Sequence, residues 1–234
     1  MKHSPGKTKL KLILLLMTGA ALNACVSVLP KTEPPAPRYT MSAVTVEPGN
    51  AIEGVLLVDD PTASQLYQSV KVALSREPNR FEFYAGVEWT DRAPELFQRA
   101  MIRSFENAKR MSDVGDHAEI GFADYTLKTD IRAFHVNTVG SPSAVLITIL
   151  GKLQNNKGQT IGVREFVRRE QVDADSVSGV MAGFHRALNG LQREMVNWTF
   201  EQIPATSAID TTTNGSVSGQ EGSIEEISLE AETR

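Results

Sequence analysis

The chain has 234 residues, 24 Lys and Arg against 28 Asp and Glu, a formal net charge of −4, and one cysteine. An acidic balance argues against a nucleic-acid partner, because such binding rests on Lys and Arg neutralising phosphates. A single thiol excludes an intramolecular disulfide, and no second cysteine is present to build a Cys/His metal cluster.

At the N-terminus, Lys2, Lys7, Lys9 and Lys11 stand without any acid through residue 24, so the remainder carries −8. Leu10 to Leu22 is an apolar stretch too short to span a bilayer, and behind a basic start it reads as an export signal. Leu22, Asn23, Ala24 and Cys25 close that stretch. This run resembles the bacterial lipobox. The resemblance implies that Cys25 becomes the first mature residue and carries a diacylglyceryl group and an amide-linked acyl chain. One acyl chain holds a protein to a membrane only marginally, whereas two or more hold it stably. The other reading is an ordinary cleaved signal with an unmodified thiol. Val26, not Asp, follows the cysteine, and by analogy with enterobacterial lipoproteins this implies the outer membrane.

Residues 25–38 include Pro30, Pro34, Pro35 and Pro37 and have little to bury, which predicts an extended tether. At about 3.1 Å per residue in polyproline geometry, a dozen residues reach roughly 40 Å. Residues 204–234 are dominated by Thr, Ser, Gly, Asp and Glu, the composition of an acidic disordered tail. Within it, Ile224 to Leu229 offers a short partner-induced helix as the alternative to a solvated segment.

Between these ends, residues 39–203 predict one domain. Tyr39 to Val46 and Gly54 to Val58 have the pattern of short strands, and Ser69 to Ser75 with Arg80 to Tyr84 that of a hairpin turning at Glu77-Pro78-Asn79. Thr90 or Asp91 is placed to cap a helix with Pro94 in its first turn. Phe97, Met101, Phe105 and Ala108 then recur at steps of four and three, opposite Arg99, Arg103, Glu106 and Arg110. Strands follow at Tyr125 to Val136, Val145 to Leu153 and Gln159 to Arg169, the last two joined at Asn155-Asn156-Lys157-Gly158. A longer helix begins near Asp175 or Ser176 and repeats through Val177, Met181, Phe184, Leu188, Leu191, Met195 and Trp198. The predicted class is α/β of α+β character: one mixed, largely antiparallel sheet covered by two amphipathic helices.

The residues offer no catalytic constellation. His117, His135 and His185 lack ligand spacing, and neither HExxH, GxSxG nor a Walker loop occurs. Gly179, Gly183 and Gly190 fall within a helical pattern, where small residues permit close packing. Asp59-Asp60-Pro61 lacks the spaced oxygens of an EF-hand and reads as a turn. Arg164, Arg168 and Arg169 around Phe166 read as a salt-bridged sheet face, with a partner or phosphate contact as the alternative. No metal and no cofactor beyond the acyl groups on Cys25 are expected, and the chain is read as not an enzyme.

The run from Asn79 through Phe81, Phe83, Tyr84 and Gly86 to Trp89, continuing into Pro94 to Ala100, resembles the auxiliary lipoproteins of ABC-type lipid transport systems. Tyr125 to Phe134 is similar to their next strand, and the likeness covers about Tyr39 to Phe200. It implies an outer-membrane-anchored, periplasm-facing accessory protein. The implied partners are a mammalian-cell-entry-type substrate-binding protein, a permease and an ATPase that move phospholipid; a homo-oligomer is compatible with it. Tyr84 and Trp89, at the junction of strand and helix, are the candidate partner contacts, with core packing as their other reading. The implied role is docking and tethering; a lipid carrier with an internal cavity, or an envelope hydrolase, are the alternatives.

Overall fold

The computed structural model describes residues 35–204. Cys25 with Leu22, Asn23 and Ala24, most of the Pro-rich tether and the acidic tail lie outside the described residues. Nine strands and two helices follow one another as β1 (Arg38–Tyr39), β2 (Ile52–Val58), β3 (Thr62–Ala63), β4 (Lys71–Glu77), β5 (Arg80–Trp89), α1 (Ala93–Ala108), β6 (Met111–Gly115), β7 (Tyr125–Asn137), β8 (Ala144–Asn155), β9 (Thr160–Gln171) and α2 (Val177–Gln202). The expected mixed α/β single domain is observed.

The thirteen-residue β7 organises the sheet. One side pairs antiparallel with β8 along its length, and β8 pairs antiparallel with β9. On the other side β2, β3 and β4 pair parallel with β7 in succession, at Tyr125 to Leu127, Asp130 to Ile131 and His135 to Asn137. These three strands are therefore consecutive segments of one run along β7, interrupted where residues 64–70 loop outward. The long ladders are antiparallel because tight turns join them. Asn155 to Gly158 is one such turn, with Gly158 at φ +73 supplying the left-handed residue. The β4–β5 hairpin turns at Pro78-Asn79 as predicted, with Asn79 at φ +62.

Both helices lie on one face of the sheet. Val145, Ile147, Ile149 and Leu153 of β8 alternate toward them and are fully buried. From α2, Met181, Phe184, Leu188, Leu191, Met195 and Trp198 of the predicted stripe all enter the core. Ser176 caps this helix, its Oγ accepting the Gly179 N–H at 3.1 Å. A Cβ at Gly183 would overlap the Val172 side chain, so the close-packing reading of that glycine holds.

Two local expectations need correction. The predicted cap of α1 is absent: Arg92 occupies the N-cap without a side-chain bond, because Asp91 turns its carboxylate to the Arg92 N–H and to Arg99. Tyr39 to Val46 is not a strand. Only Arg38–Tyr39 pairs, with β5, and the chain then crosses the helices as an irregular strap. Its backbone bonds to side chains instead of a ladder. Val44 N donates to Ser104 Oγ at 3.0 Å, and Asn107 Nδ2 donates to Val44 O at 3.1 Å. Met41, Val44 and Val46 are buried beneath it, so α1 is covered on a second side.

Candidate functional site

The strand-to-helix junction singled out by the sequence is built on a bulge in β5. Ala73 faces Phe83 and Lys71 faces Glu88, so the stretch from Tyr84 to Val87 stands opposite Val72 alone. Gly86 at φ +75 takes the left-handed conformation the bulge demands. The bulge re-aims the strand, so that Tyr84 and Trp89 both face the α2 side but meet different surroundings.

Trp89 points into the core and is 2% exposed. Its ring meets Phe184 edge-on at 5.2 Å and Phe134 at 5.7 Å, and those two phenylalanines lie 5.2 Å apart. Tyr84 is half-buried and donates its hydroxyl to Ala174 O at 2.7 Å, tying β5 to the approach of α2. Burial raises its pKa above the ordinary 10.0, the carboxylates of Asp175 and Asp173 push the same way, and Arg76 opposes them. The phenol therefore stays protonated as a donor.

Above Trp89, the strap at Tyr39 to Ser42 and the first half of α2 leave a groove of about 350 Å³. Met41, Met181, Phe184 and Leu188 line it, with His185 and Asn189 on its rim. This is near the lower limit of small-molecule sites, about 300–1,000 Å³. The interior between sheet and helices is filled by interlocking rings: besides the Trp89 cluster, Phe105 meets Phe200 and Phe166 meets Trp198 edge-on.

A surface the sequence reading passed over lies on the helix-free face. Phe81 and Phe83 are 43% and 45% exposed. Phe81 packs edge-on against His135 at 5.1 Å, and the Lys71 ammonium sits 5.2 Å from the Phe83 ring. The available signal was the alternation of Phe81 and Phe83 with Glu82 and Tyr84, which puts them on the face opposite the core.

The histidines remain apart. His135 is buried and hydrogen-bonded to the Tyr67 hydroxyl at 3.1 Å, His117 Nε2 lies 2.8 Å from Asp59 Oδ1, and His185 contacts Asn189. Burial lowers the pKa of His135 below 6.5 and raises that of Tyr67 above 10.0, so a neutral imidazole and a neutral phenol share this hydrogen bond. The turn expected at Asp59-Asp60-Pro61 is not formed: these residues are the short extended link between β2 and β3, the Asp59 N–H donating to Leu127 O and Asp60 Oδ1 accepting from Gln98 Nε2 at 2.9 Å. Among the described residues no group of three or more His, Cys, Asp or Glu could hold a metal ion. Arg164 and Arg168 both pair with Glu194 of α2, so these arginines fasten helix to sheet. Among the described residues no helix is long and apolar enough to cross a membrane.

The fold, a mixed sheet backed by two helices, is shared with solved structures. Protein XCC0632 from Xanthomonas campestris superposes with a TM-score of 0.63 at 24% identity, over 69% of this chain and 94% of that one. A second, uncharacterized protein superposes with a TM-score of 0.52 at 16% identity, over 70% of this chain and 99% of its own. They define the class: a single two-layer α/β domain. Residues 39–196 match the family described as the ABC-type transport auxiliary lipoprotein component, and the chain belongs to that family. It is also 28% identical over 144 residues to the uncharacterized protein bll6063 of Bradyrhizobium diazoefficiens; the match takes in 62% of this chain and 39% of that relative.

Proposed function

We propose that the chain is the lipid-anchored, periplasm-facing accessory component of an ABC-type system moving phospholipid between membranes, and that it docks and tethers without catalysing a reaction. Family membership over residues 39–196 supports association with such a transporter. In this reading diacylglyceryl and N-acyl groups on Cys25 hold it in the outer membrane. Its partners are a mammalian-cell-entry-type substrate-binding protein, the permease and the ATPase. Confinement by the anchor raises the effective concentration of a weak protein contact without any additional contact area.

The observation that carries docking over carrying is the closed Trp89–Phe134–Phe184 cluster where a carrier needs space. The groove beside it is at the lower limit for a drug-sized ligand, and a two-chain phospholipid is larger than that.

Native mass spectrometry of the purified chain separates the two readings. Docking expects no co-purifying phospholipid, together with recovery of the substrate-binding protein from cross-linked envelopes; stoichiometric lipid would overturn it in favour of the carrier. Cys25→Ser is expected to release folded protein from membranes, and retained attachment would sink the anchor.

A further inference from the structure

Among the described residues the antiparallel ladder ends at β9, which pairs there with β8 alone. Val172 N donates to Ser143 O at 3.0 Å, and bonded and non-bonded residues alternate along such a pair. With the observed register, in which Gln171 faces Ala144 and Phe166 faces Ile149, the even-numbered residues bond β8. The backbone groups of Val163, Glu165, Val167, Arg169 and Gln171 therefore point to the open side. The side chains of these residues lie on the helix-free face, where Val163 and Val167 are 55% and 48% exposed. A twelve-residue open strand is a template for another strand.

Charge and length of overlap together select the partner and its register. Centring an antiparallel copy on Glu165 sets that carboxylate against itself. Centring on Phe166 opposes Arg164 to Arg168, and centring on Arg168 opposes two guanidinium groups. Centring on Val163 avoids like charges, but pairs only Thr160 to Phe166 and brings no opposite charges together. Centring on Val167 places Glu165 opposite Arg169, Arg164 opposite Glu170 and Phe166 opposite Arg168, with no like charges facing. We propose that β9 pairs antiparallel with β9 of a second copy of this chain, about a two-fold axis through Val167.

The rest of the molecule accommodates this arrangement. The Arg168 guanidinium donates to Val167 O at 2.9 Å, but a carbonyl has two lone pairs and keeps one for the incoming N–H. Helix α2 straddles β8 and β9, its Trp198 ring lying against both Gly151 and Gly162. With strands about 4.8 Å apart, the two α2 helices come to lie roughly 10 Å from each other, at ordinary packing distance.

The test uses the full chain in detergent with Cys25→Ser, so that an introduced cysteine is the only thiol. Opposed Cα atoms in a bonded antiparallel pair lie about 5.5 Å apart, within disulfide reach. Val167→Cys is expected to oxidise to a covalent dimer at tens of micromolar chain, whereas Val163→Cys, which faces Gln171 in this register, is expected to stay monomeric on denaturing gels. Val167→Lys, placing two ammonium groups on the axis at an exposed position, is expected to raise the dimer dissociation constant in sedimentation by at least about tenfold, with an unchanged melting temperature at concentrations where both chains are monomeric. Equal cross-linking at the two cysteines would overturn the proposal, as would a monomeric parent chain or an assembly indifferent to Val167→Lys.

Discussion

The Ser104 hydroxyl, fully buried on α1, accepts the backbone N–H of Val44 at 3.0 Å and donates to Ala100 O at 2.6 Å. Together with Asn107, which donates to Val44 O, this side chain replaces ladder bonds that the strap from Thr40 to Ala51 never forms. Ser104→Ala leaves the Val44 N–H buried without an acceptor, an expected loss of about 1–3 kcal/mol. Hydrogen exchange should quicken at Val44 before the rest of the domain loosens; unchanged protection there would mean the strap is held by Met41 and Val46 alone.

Gln192 sits 3.1 Å from the same hydroxyl, and its Nε2 is buried without a partner among the described residues. Replacing it with Met removes an orphan donor while filling similar volume. The expected change in unfolding free energy is within about 1 kcal/mol, since losing a group already unsatisfied costs little. Denaturant titration reading a larger loss would show that the Ser104–Gln192 bond matters more to helix packing than the orphan donor does.

Truncating Trp89 to Ala opens a cavity beside Phe134 and Phe184, with an expected loss of about 3–5 kcal/mol. Trp89→Phe should cost clearly less because it keeps one ring against Phe184. Chemical denaturation checks both, and near-equal losses would point to the indole N–H, not the packing.

Gly183→Val drives a branched side chain into Val172, and an overpacking loss of about 1–3 kcal/mol is expected. Gly121, with open space around its Cα, should accept Ala with little change. Melting temperatures of the two variants give the comparison.

Burial keeps His135 below its ordinary 6.5, so under that pH the unfolded chain binds a proton that the folded one does not. Stability is unaffected by this residue above about pH 7. It falls as pH drops through 6.5 toward the depressed folded value. The expected result is a melting temperature that declines between about pH 7 and 5, with a shallower decline in His135→Gln. Parallel slopes for the two proteins would remove His135 as the cause.

The sequence by itself determined the elements whose signal is local. Steps of four and three from Phe97 to Ala108 and from Val177 to Trp198 mark two helices, because one apolar stripe must face a core whatever that core is. Alternation in Tyr125 to Arg169 and the glycine turn at Gly158 likewise state the three long antiparallel strands. The resemblance around Phe81 to Trp89 led to the family that residues 39–196 then matched. Only the tertiary structure decided that β2, β3 and β4 run in one line parallel to β7, and that Met111–Gly115 adds a strand beside β2. Parallel pairing joins residues far apart in the chain, and no short window contains both partners. The same holds for the strap. Tyr39 to Val46 alternates like a strand, but the donor and acceptor that complete its backbone, Asn107 and Ser104, lie some sixty residues away on α1. Trp89 and Tyr84 read alike as large aromatics on one strand; a bulge at Gly86 buries the first and hydrogen-bonds the second to the approach of α2, because backbone pairing across the sheet sets which way a side chain points.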